Sequence, residues 1–282
     1  MDPALYVVST PIGNLGDITH RAAEILRGAD VVLAEDTRRT SILLRHLDAH
    51  TRLLSAHEHN EAARADTVVA MLGEGKAVAL VSDAGTPLLS DPGARIVRRV
   101  VEAGFPVVPV PGASALLAAL VASGVEAESF AFLGFPPRKG PERAELLDEV
   151  AASPRASVLY ESPNRVAALL EDLAAACGAD RRVAVARELT KLHEEFVRGT
   201  LAEAAARFAG REVLGEIVVV VAGRPRDEAA EGEVDALAAR SIAQALLAQG
   251  QTPSGVAKEL RRRLGIARNE AYRIAQEAAG EG

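Results

Sequence analysis

The residues best suited to chemistry lie in one stretch, LVSDAGTPLLSDPG, which spans positions 80–93. It contains two carboxylates, Asp83 and Asp91, among glycines and prolines that allow tight turns. The short apolar run 77–81 predicts a strand before it, and the apolar spacing after it predicts a helix. Ligands bind at the carboxyl ends of strands in open α/β sheets, because loop N–H groups face a crevice there. We therefore predict a ligand-binding loop, the alternative being an ordinary connection between strand and helix.

Three further loops combine polar residues with turn-rich backbone at the ends of predicted strands. They are STPIGNLGDIT at 9–19, AEDTRRTSILL at 34–44 and VPVPGASALLAAL at 108–120. The carboxyl ends of parallel strands meet at one edge of a sheet, so we expect all four loops to form one site. For 34–44 an alternative stays open, namely an acidic helix N-cap followed by a solvated basic turn.

Strand and helix patterns alternate along the chain, which is typical of βαβ units and a largely parallel sheet. We predict an N-terminal α/β domain over 1–124 and a C-terminal α/β domain over 125–224. A linker is predicted at 225–233, where glycine, proline and charged residues show no apolar period. Three short helices over 234–282 then suit a small helix-turn-helix-like extension. Between 253 and 274 this extension carries six cations against two carboxylates, which predicts a local basic surface.

Composition argues against several classes of protein. The single cysteine, Cys177, excludes an internal disulfide, and we expect a reducing compartment, the cytoplasm. The sequence shows neither a signal sequence nor an apolar run that is long enough to span a membrane. Dinucleotide-binding, Walker and hydrolase-elbow motifs are absent. His57 and His59 lack further ligands at metal spacing, so we predict no metal site.

The order of these motifs, together with four others, resembles the tetrapyrrole methylase superfamily over residues 4–222. The four are HEHNE at 57–61, FLGFPPRKG at 132–140, YESPNR at 160–165 and ARELTK at 186–191. Within the superfamily, the sequence is most similar to members that methylate small-subunit ribosomal RNA. The resemblance implies two α/β domains with S-adenosylmethionine in the cleft between them, usually in a homodimer. It also implies methylation of the ribose 2′-oxygen of a decoding-region cytidine in 16S rRNA, with the assembled 30S subunit as the expected partner.

The resemblance further implies cofactor contacts, which are carried over motif by motif. In the N-terminal domain they are Pro11, Ile12, Gly13, Asp83, Ala84, Gly85, Thr86, Pro87, Pro111, Gly112, Ala113 and Ser114. In the C-terminal domain they are Leu133, Glu161, Ser162, Arg187, Glu216 and Ile217, with the neighbouring Gly134, Phe135, Pro163, Glu188 and Gly215.

A ribose hydroxyl must lose its proton during or just after methyl transfer, so a base is expected in the cleft. The candidates are Asp83, Asp36, Glu35, Glu188 and Glu161, and the sequence favours none of them. Lys191 and Arg38 are candidates for steadying a developing oxyanion or a phosphate.

RNA is expected to be held mainly through its phosphates. The candidate cations are Arg38, Arg39, Arg138, Lys139, Lys258, Arg261, Arg262 and Arg263. Only 3% of the residues are aromatic and none is tryptophan, so base stacking is not expected to be the main grip. Two alternatives stay open: a tetrapyrrole C-methyltransferase of the same fold, and a non-catalytic nucleic-acid-binding regulator built on the helical extension.

Overall fold

The computed structural model describes residues 1–57, 60–225, 228–264, 266 and 268–280. They form two compact units, 1–224 and 225–282. The first unit contains two five-stranded sheets, each covered by helices on its faces. The α/β fold class expected from the sequence is thereby confirmed.

The first sheet is entirely parallel, with strand order β3-β2-β4-β1-β5. Its strands are β1 (Leu5–Val8), β2 (Val31–Ala34), β3 (Arg52–Ser55), β4 (Val78–Val81) and β5 (Val107–Val110). The connecting helices are α1 (His20–Gly28), α2 (Thr37–His46), α3 (Glu61–Gly73) and α4 (Ala94–Glu102), and α5 (Ala115–Ala122) follows β5. Successive strand residues point to opposite faces, so Val32 joins the core cluster with α1 and α2 while Leu33 joins that with α3 and α4. Because the five strands are parallel, their carboxyl ends all meet at one edge of the sheet.

The second sheet is mixed, with order β6-β7-β10-β8-β9. Its strands are β6 (Phe130–Gly134), β7 (Ala156–Glu161), β8 (Arg182–Arg187), β9 (Glu195–Thr200) and β10 (Ile217–Val221), and its helices are α6 (Pro141–Ala152), α7 (Val166–Cys177) and α8 (Leu201–Phe208). Only β6 and β7 pair in parallel. Helix α5 packs its buried Leu116 and Leu120 into the same apolar cluster as Val218 and Val220 of β10. The chain thus changes sheet between Ala122 and Phe130, with α5 joining the two layers.

The structure contains helix α8, which the sequence patterns did not predict. A capping box begins it, because the Thr200 hydroxyl accepts the N–H of Glu203 at 3.2 Å and the Glu203 carboxylate accepts the N–H of Thr200 at 2.8 Å. The spacing Thr-x-x-Glu was the sequence signal that would have located this helix.

The second unit consists of α9 (Glu228–Ala248), α10 (Pro253–Leu264) and α11 (Arg268–Gly280) around its own apolar core. Ala243, Val256, Leu260 and Ile274 are buried there. Helix α9 begins at Glu228, so residues 228–233 of the segment predicted as a linker are helical. The alanine and glutamate residues at 228–231 favour a helical conformation, so α9 includes part of the segment predicted as a linker. No helix among the described residues is long and apolar enough to cross a membrane.

Candidate functional site

The loops that follow β1, β4 and β5 are bonded directly to one another. Thr10 and Gly85 exchange two backbone hydrogen bonds of 2.8 and 3.0 Å, which join the loop after β1 to the loop after β4. The hydroxyl of Thr86 then donates to the carbonyl of Ala113 at 3.2 Å, which joins the loop after β4 to the loop after β5. The edge of the first sheet therefore carries one continuous network of loops.

The loop after β2 joins the same network through Asp83. One carboxylate oxygen of Asp83 accepts the N–H of Asp36 at 2.9 Å, and the other lies 3.5 Å from the Arg39 guanidinium. Asp36 itself caps α2 and pairs with Arg38 at 2.8 Å. The capping role that was the alternative for this segment is thus present, and it coexists with a position next to the site.

The network lines a cavity of about 370 Å³, a size that accommodates a small-molecule ligand. The cavity lies between the two sheets, because loops of both contribute to its walls. Predicted cofactor residues that line it from the first sheet are Ile12, Asp83, Ala84, Gly85, Thr86 and Ser114. Those that line it from the second sheet are Glu161, Ser162, Glu216 and Ile217, with the neighbouring Phe135, Pro163 and Gly215.

The other predicted cofactor residues do not line this cavity. Pro11 borders a smaller neighbouring one, and Leu133 packs into the core beneath the second sheet. Arg187 is engaged elsewhere, with its guanidinium 2.9 Å from Glu195 and 3.2 Å from the carbonyl of Leu214. The remaining ones that lie outside the lining are Gly13, Pro87, Pro111, Gly112 and Ala113. Gly112 fits closely against the β1 end, because a Cβ there would lie 2.9 Å from that of Ser9.

Sequence reasoning did not assign several cavity residues as ligands, namely Leu89, Ser90, Asp91, Ala115, Tyr160 and Val218. Tyr160 immediately precedes the predicted Glu161 in β7, so its place next to the strand end was the available signal. Leu88 and Ser90 adopt positive φ angles of 75° and 67°, which are rare for residues with side chains. Such strained backbone persists only where the surroundings hold it, and it concentrates at functional sites.

Glu61 fixes the end of this loop, where α4 begins. Its buried carboxylate accepts the N–H groups of Gly93 at 3.1 Å and Arg95 at 2.6 Å. It therefore caps the start of α4 from a neighbouring helix, where Gly93 has no side chain to do so. Glu61, the last residue of the motif HEHNE, thus stabilises the backbone next to the cavity.

The carboxyl groups near the cavity have very different pKa values. Burial raises the pKa of Asp91 to about 6, and the neighbouring carboxylate of Glu35 adds to the effect. Burial also raises the pKa of Glu35, with Asp83 contributing. In contrast, the hydrogen bonds from Arg38 lower the pKa of Asp36 to about 2. Asp91 is therefore a cavity carboxyl whose protonation changes close to neutral pH.

Glu161 is the buried acceptor on the opposite wall. One of its oxygens pairs with Arg165 and accepts the N–H of Ser162 at 2.7 Å. The other oxygen is buried and has no hydrogen-bond partner within the described part of the chain. Because buried polar atoms are normally satisfied, a ligand that donates a hydrogen bond suits this position.

Lys191 lies beside the cavity rather than in its lining. Its ammonium is 2.7 Å from Glu188 and 3.2 Å from Glu216, and a Cβ on Gly13 would clash with its side chain. The hydrogen bond from Lys191 lowers the pKa of Glu188. Lys191 thus joins the segment after β8 to the segment before β10 through two ion pairs, and its side chain packs against Gly13 in the loop after β1.

The cations predicted to bind RNA fall into paired and unpaired groups. Arg262 and Arg263 contact Glu259 at 2.6 and 2.7 Å, as Arg38 contacts Asp36. Arg39 lies in the cavity lining beside Asp83. Exposed cations without an ion pair, as far as the described residues go, are Arg138, Lys139, Lys258 and Arg261. No cluster of metal-ligating side chains occurs among the described residues, and His59 lies outside them.

Comparison with known proteins places these features in a wider context. The family model for tetrapyrrole (corrin/porphyrin) methylases matches residues 4–205. A ribosomal RNA small subunit methyltransferase I from Synechocystis is 43% identical over 99% of this chain and 99% of its own. A protein of the same name from Micromonospora olivasterospora is 46% identical over 98% of this chain and 88% of its own. The structure of uroporphyrin-III C-methyltransferase from Thermus thermophilus with S-adenosylhomocysteine matches with a TM-score of 0.57 at 20% identity, over 78% of this chain and 97% of that one.

Proposed function

This chain belongs to the tetrapyrrole (corrin/porphyrin) methylase family, and we propose that it is an S-adenosylmethionine-dependent methyltransferase of small-subunit ribosomal RNA. The observation that carries the proposal is the cavity between the two sheets, in a chain whose relatives over nearly its full length bear that enzyme's name. We further propose that the methyl group is transferred to the ribose 2′-oxygen of a decoding-region cytidine.

The residues of the cavity fit S-adenosylmethionine in kind. Gly85 has a φ of +80°, and a Cβ there would lie 3.2 Å from Ile12, so the backbone approaches the cavity without a side chain in between. The unpartnered oxygen of Glu161 suits one of the cofactor's amino or hydroxyl donors. When bound, the cofactor supplies an electrophilic methyl group whose sulfonium leaves as a neutral thioether. The protein must then position the acceptor, exclude water and remove one proton.

Asp91 is the proposed proton acceptor for the ribose hydroxyl. It lines the cavity, and its pKa of about 6 lies near the operating pH, which is where a general base is most effective. Asp36 and Glu188 are poorer bases because ion pairs lower their pKa values. Asp83 is committed to the N–H of Asp36 and to Arg39. We assign Asp83 to holding the loops together.

The charge of the cavity favours this function over methylation of a tetrapyrrole. A polycarboxylate macrocycle would need several cations, whereas Arg39 is the one cation among the described lining residues. Four carboxyl groups line the same cavity: Asp83, Asp91, Glu161 and Glu216. A negatively charged macrocycle would therefore be repelled.

The proposal includes a homodimer, a cytoplasmic location and a substrate in the form of the assembled 30S subunit. Helix α5 presents Leu117 and Val121 to solvent, and Val121 is 83% exposed. Leu117 and Val121 lie one turn apart on α5, so they form an exposed apolar pair that a second copy of the chain would cover. Sedimentation of the purified protein tests the dimer, with Val121→Glu expected to yield a monomer.

The decisive experiment is methyl transfer to 30S subunits from a strain that lacks the modification. The expected product is a 2′-O-methylcytidine, identified by mass spectrometry of the RNA nucleosides. Calorimetry with S-adenosylmethionine should give saturable binding to the protein alone. A non-catalytic regulator predicts neither result, and methyl incorporation on a base instead of a ribose would refute the assignment of the acceptor atom.

A further inference from the structure

A second cavity adjoins the proposed cofactor cavity on the side of the second sheet. We call it the outer cavity, and it is lined by Phe135, Arg138, Ser162, Asn164 and Arg165. Phe135 and Ser162 line both cavities, so the two are contiguous. A molecule bound in the outer cavity would therefore lie next to whatever occupies the inner one.

Phe135 is an exposed aromatic residue whose ring packs against the ring of Tyr160. Its side chain is 54% exposed in a chain with few aromatic residues. Its ring centroid lies 5.5 Å from that of Tyr160 in an edge-to-face contact, and Tyr160 contacts Phe132 in the same way at 4.9 Å. The three rings lead from the core to the cavity surface, and edge-to-face pairs of this kind are favourable beyond the area that they bury. The exposed ring is thus fixed in place before any ligand binds.

The polar residues of the outer cavity suit a phosphate and a base edge. Arg138 is exposed and makes no ion pair within the described part of the chain, so its charge is available to an anion. Arg165 is fixed by Glu161 and by a 2.9 Å hydrogen bond to Ser162, and it adds positive potential to the same wall. Asn164 is exposed and offers both a donor and an acceptor.

We propose that the outer cavity binds one unpaired nucleotide of the RNA substrate, with its base stacked on Phe135 and a neighbouring phosphate on Arg138. Aromatic side chains stack on unpaired bases, and arginine binds phosphates. Contiguity with the inner cavity would then place the ribose of that nucleotide, or of the one beside it, at the methyl donor. The inference rests on the proposed function and specifies how its substrate is held.

One stacking residue is compatible with the scarcity of aromatic residues in this chain. Phosphate contacts supply most of the affinity of such enzymes for RNA, while a single stacked base sets which nucleotide reaches the site. We therefore expect Phe135 to influence the positioning of the nucleotide more than the overall retention of the subunit.

Substitution of Phe135 tests the proposal by kinetics. Phe135→Ala should lower kcat/KM for unmodified 30S subunits by about 5- to 100-fold, because a stacked base contributes that much to binding. Because Phe135 also lines the inner cavity, the affinity for S-adenosylhomocysteine, measured by calorimetry without RNA, should fall by much less than kcat/KM. Phe130→Ala is the matched control, because Phe130 begins the same strand that Phe135 follows and lines neither cavity. It should retain full activity.

Several results would overturn the proposal. The first is an unchanged kcat/KM in Phe135→Ala. The second is a loss of cofactor affinity in this variant that accounts for the whole kinetic effect. The third is a change in the oligomeric state of this variant in sedimentation, because that change would itself explain the lost activity. If the wild-type protein does not methylate 30S subunits at all, the proposed function fails instead, and the outer cavity is then judged by binding alone.

Fluorescence provides that binding measurement, because the chain contains no tryptophan. Phe135→Trp introduces a single indole that can still stack, so this variant should keep its activity. Its emission should be quenched when unmodified 30S subunits are added, after the emission of the same subunits mixed with the wild-type protein has been subtracted. The quenching should be weaker in the variant that combines Phe135→Trp with Arg138→Gln. Phe130→Trp should show no quenching. Equal quenching of both indoles, or no quenching of the indole at position 135, would contradict stacking at Phe135.

Discussion

Two carboxyl groups on the two different sheets of the first unit show how differently the same chemical group can be used. Asp91, in the loop after β4, has a pKa raised to about 6 by burial and by the nearby Glu35. Glu195, in β9, has a pKa lowered to about 2, mainly by hydrogen bonds from Arg211 and also from Arg187. The distances from these guanidinium groups to Glu195 are 2.7 and 2.9 Å. A partly buried carboxyl that lies near other carboxyl groups is suited to accept a proton. A carboxylate that forms ion pairs with two arginines is suited to stabilise the fold.

The largest expected effect is that of Asp91→Asn. If Asp91 accepts the ribose proton, the amide should slow methyl transfer by about 100- to 10,000-fold, since that is the usual contribution of a general base. Single-turnover measurements at saturating cofactor and 30S subunits would show this loss. Glu195→Gln makes the same chemical change outside the cavity and should leave the rate unchanged. Equal rates for wild type and Asp91→Asn would remove Asp91 from the mechanism.

The pH dependence of the reaction sharpens the same contrast. Because the basic form of Asp91 is its carboxylate, the single-turnover rate should be constant above its pKa of about 6. Below that pH, the rate should fall about tenfold per unit as Asp91 becomes protonated. The residual activity of Asp91→Asn should show no such inflection. An inflection retained in this variant would point to another group.

Thermal stability should change in opposite directions for the two carboxyl groups. A lowered pKa stabilises the fold above the ordinary carboxyl pKa, and this contribution is lost as the pH falls toward about 2. Glu195→Gln should therefore lower Tm at neutral pH by about 2–5 °C and have a smaller effect in acid. A raised pKa makes the fold less stable as the pH rises through about 4 to 6, so Asp91→Asn should raise Tm at neutral pH.

Scanning calorimetry at several pH values measures both shifts. Glu212→Gln is the control, because Glu212 is exposed and makes no ion pair within the described residues. It should leave Tm unchanged. Shifts of the same sign in Glu195→Gln and Asp91→Asn would show that the ion pairs do not explain the difference between these sites.

The smallest expected effect concerns the same distinction among the cations of the second unit. Arg261 is exposed and unpaired within the described part of the chain, whereas Arg262 lies 2.6 Å from Glu259. Arg261→Gln should weaken binding to 30S subunits severalfold and lower the slope of log affinity against log salt by about one. Arg262→Gln should change both less. Equal effects in filter binding would mean that Glu259 releases Arg262 when RNA binds.

Much of the architecture follows from local patterns in the sequence. Apolar runs such as 77–81, bounded by turn residues, predicted the parallel strands of the first sheet, and parallel strands must bring their carboxyl ends to one edge. The loop at 80–93 could therefore be placed at a site from its residue types and its position after a strand. The capping box that begins α8 is equally local, although the helix is harder to separate from its surroundings because it follows β9 with no loop between them.

Only the tertiary structure decided which charged residues are free. Arg187 and Lys191 belong to motifs that suggested ligand contacts, yet Glu195, Glu188 and Glu216 hold them. Asp91 is the proposed base because the fold partly buries it near Glu35, which lies far from it in the sequence. A pKa depends on burial and on charges within a few ångströms, and both are set by contacts between distant segments. The sequence therefore determined which loops line the cavity, and the packing of the two sheets determined the burial and the charged neighbours of each residue there.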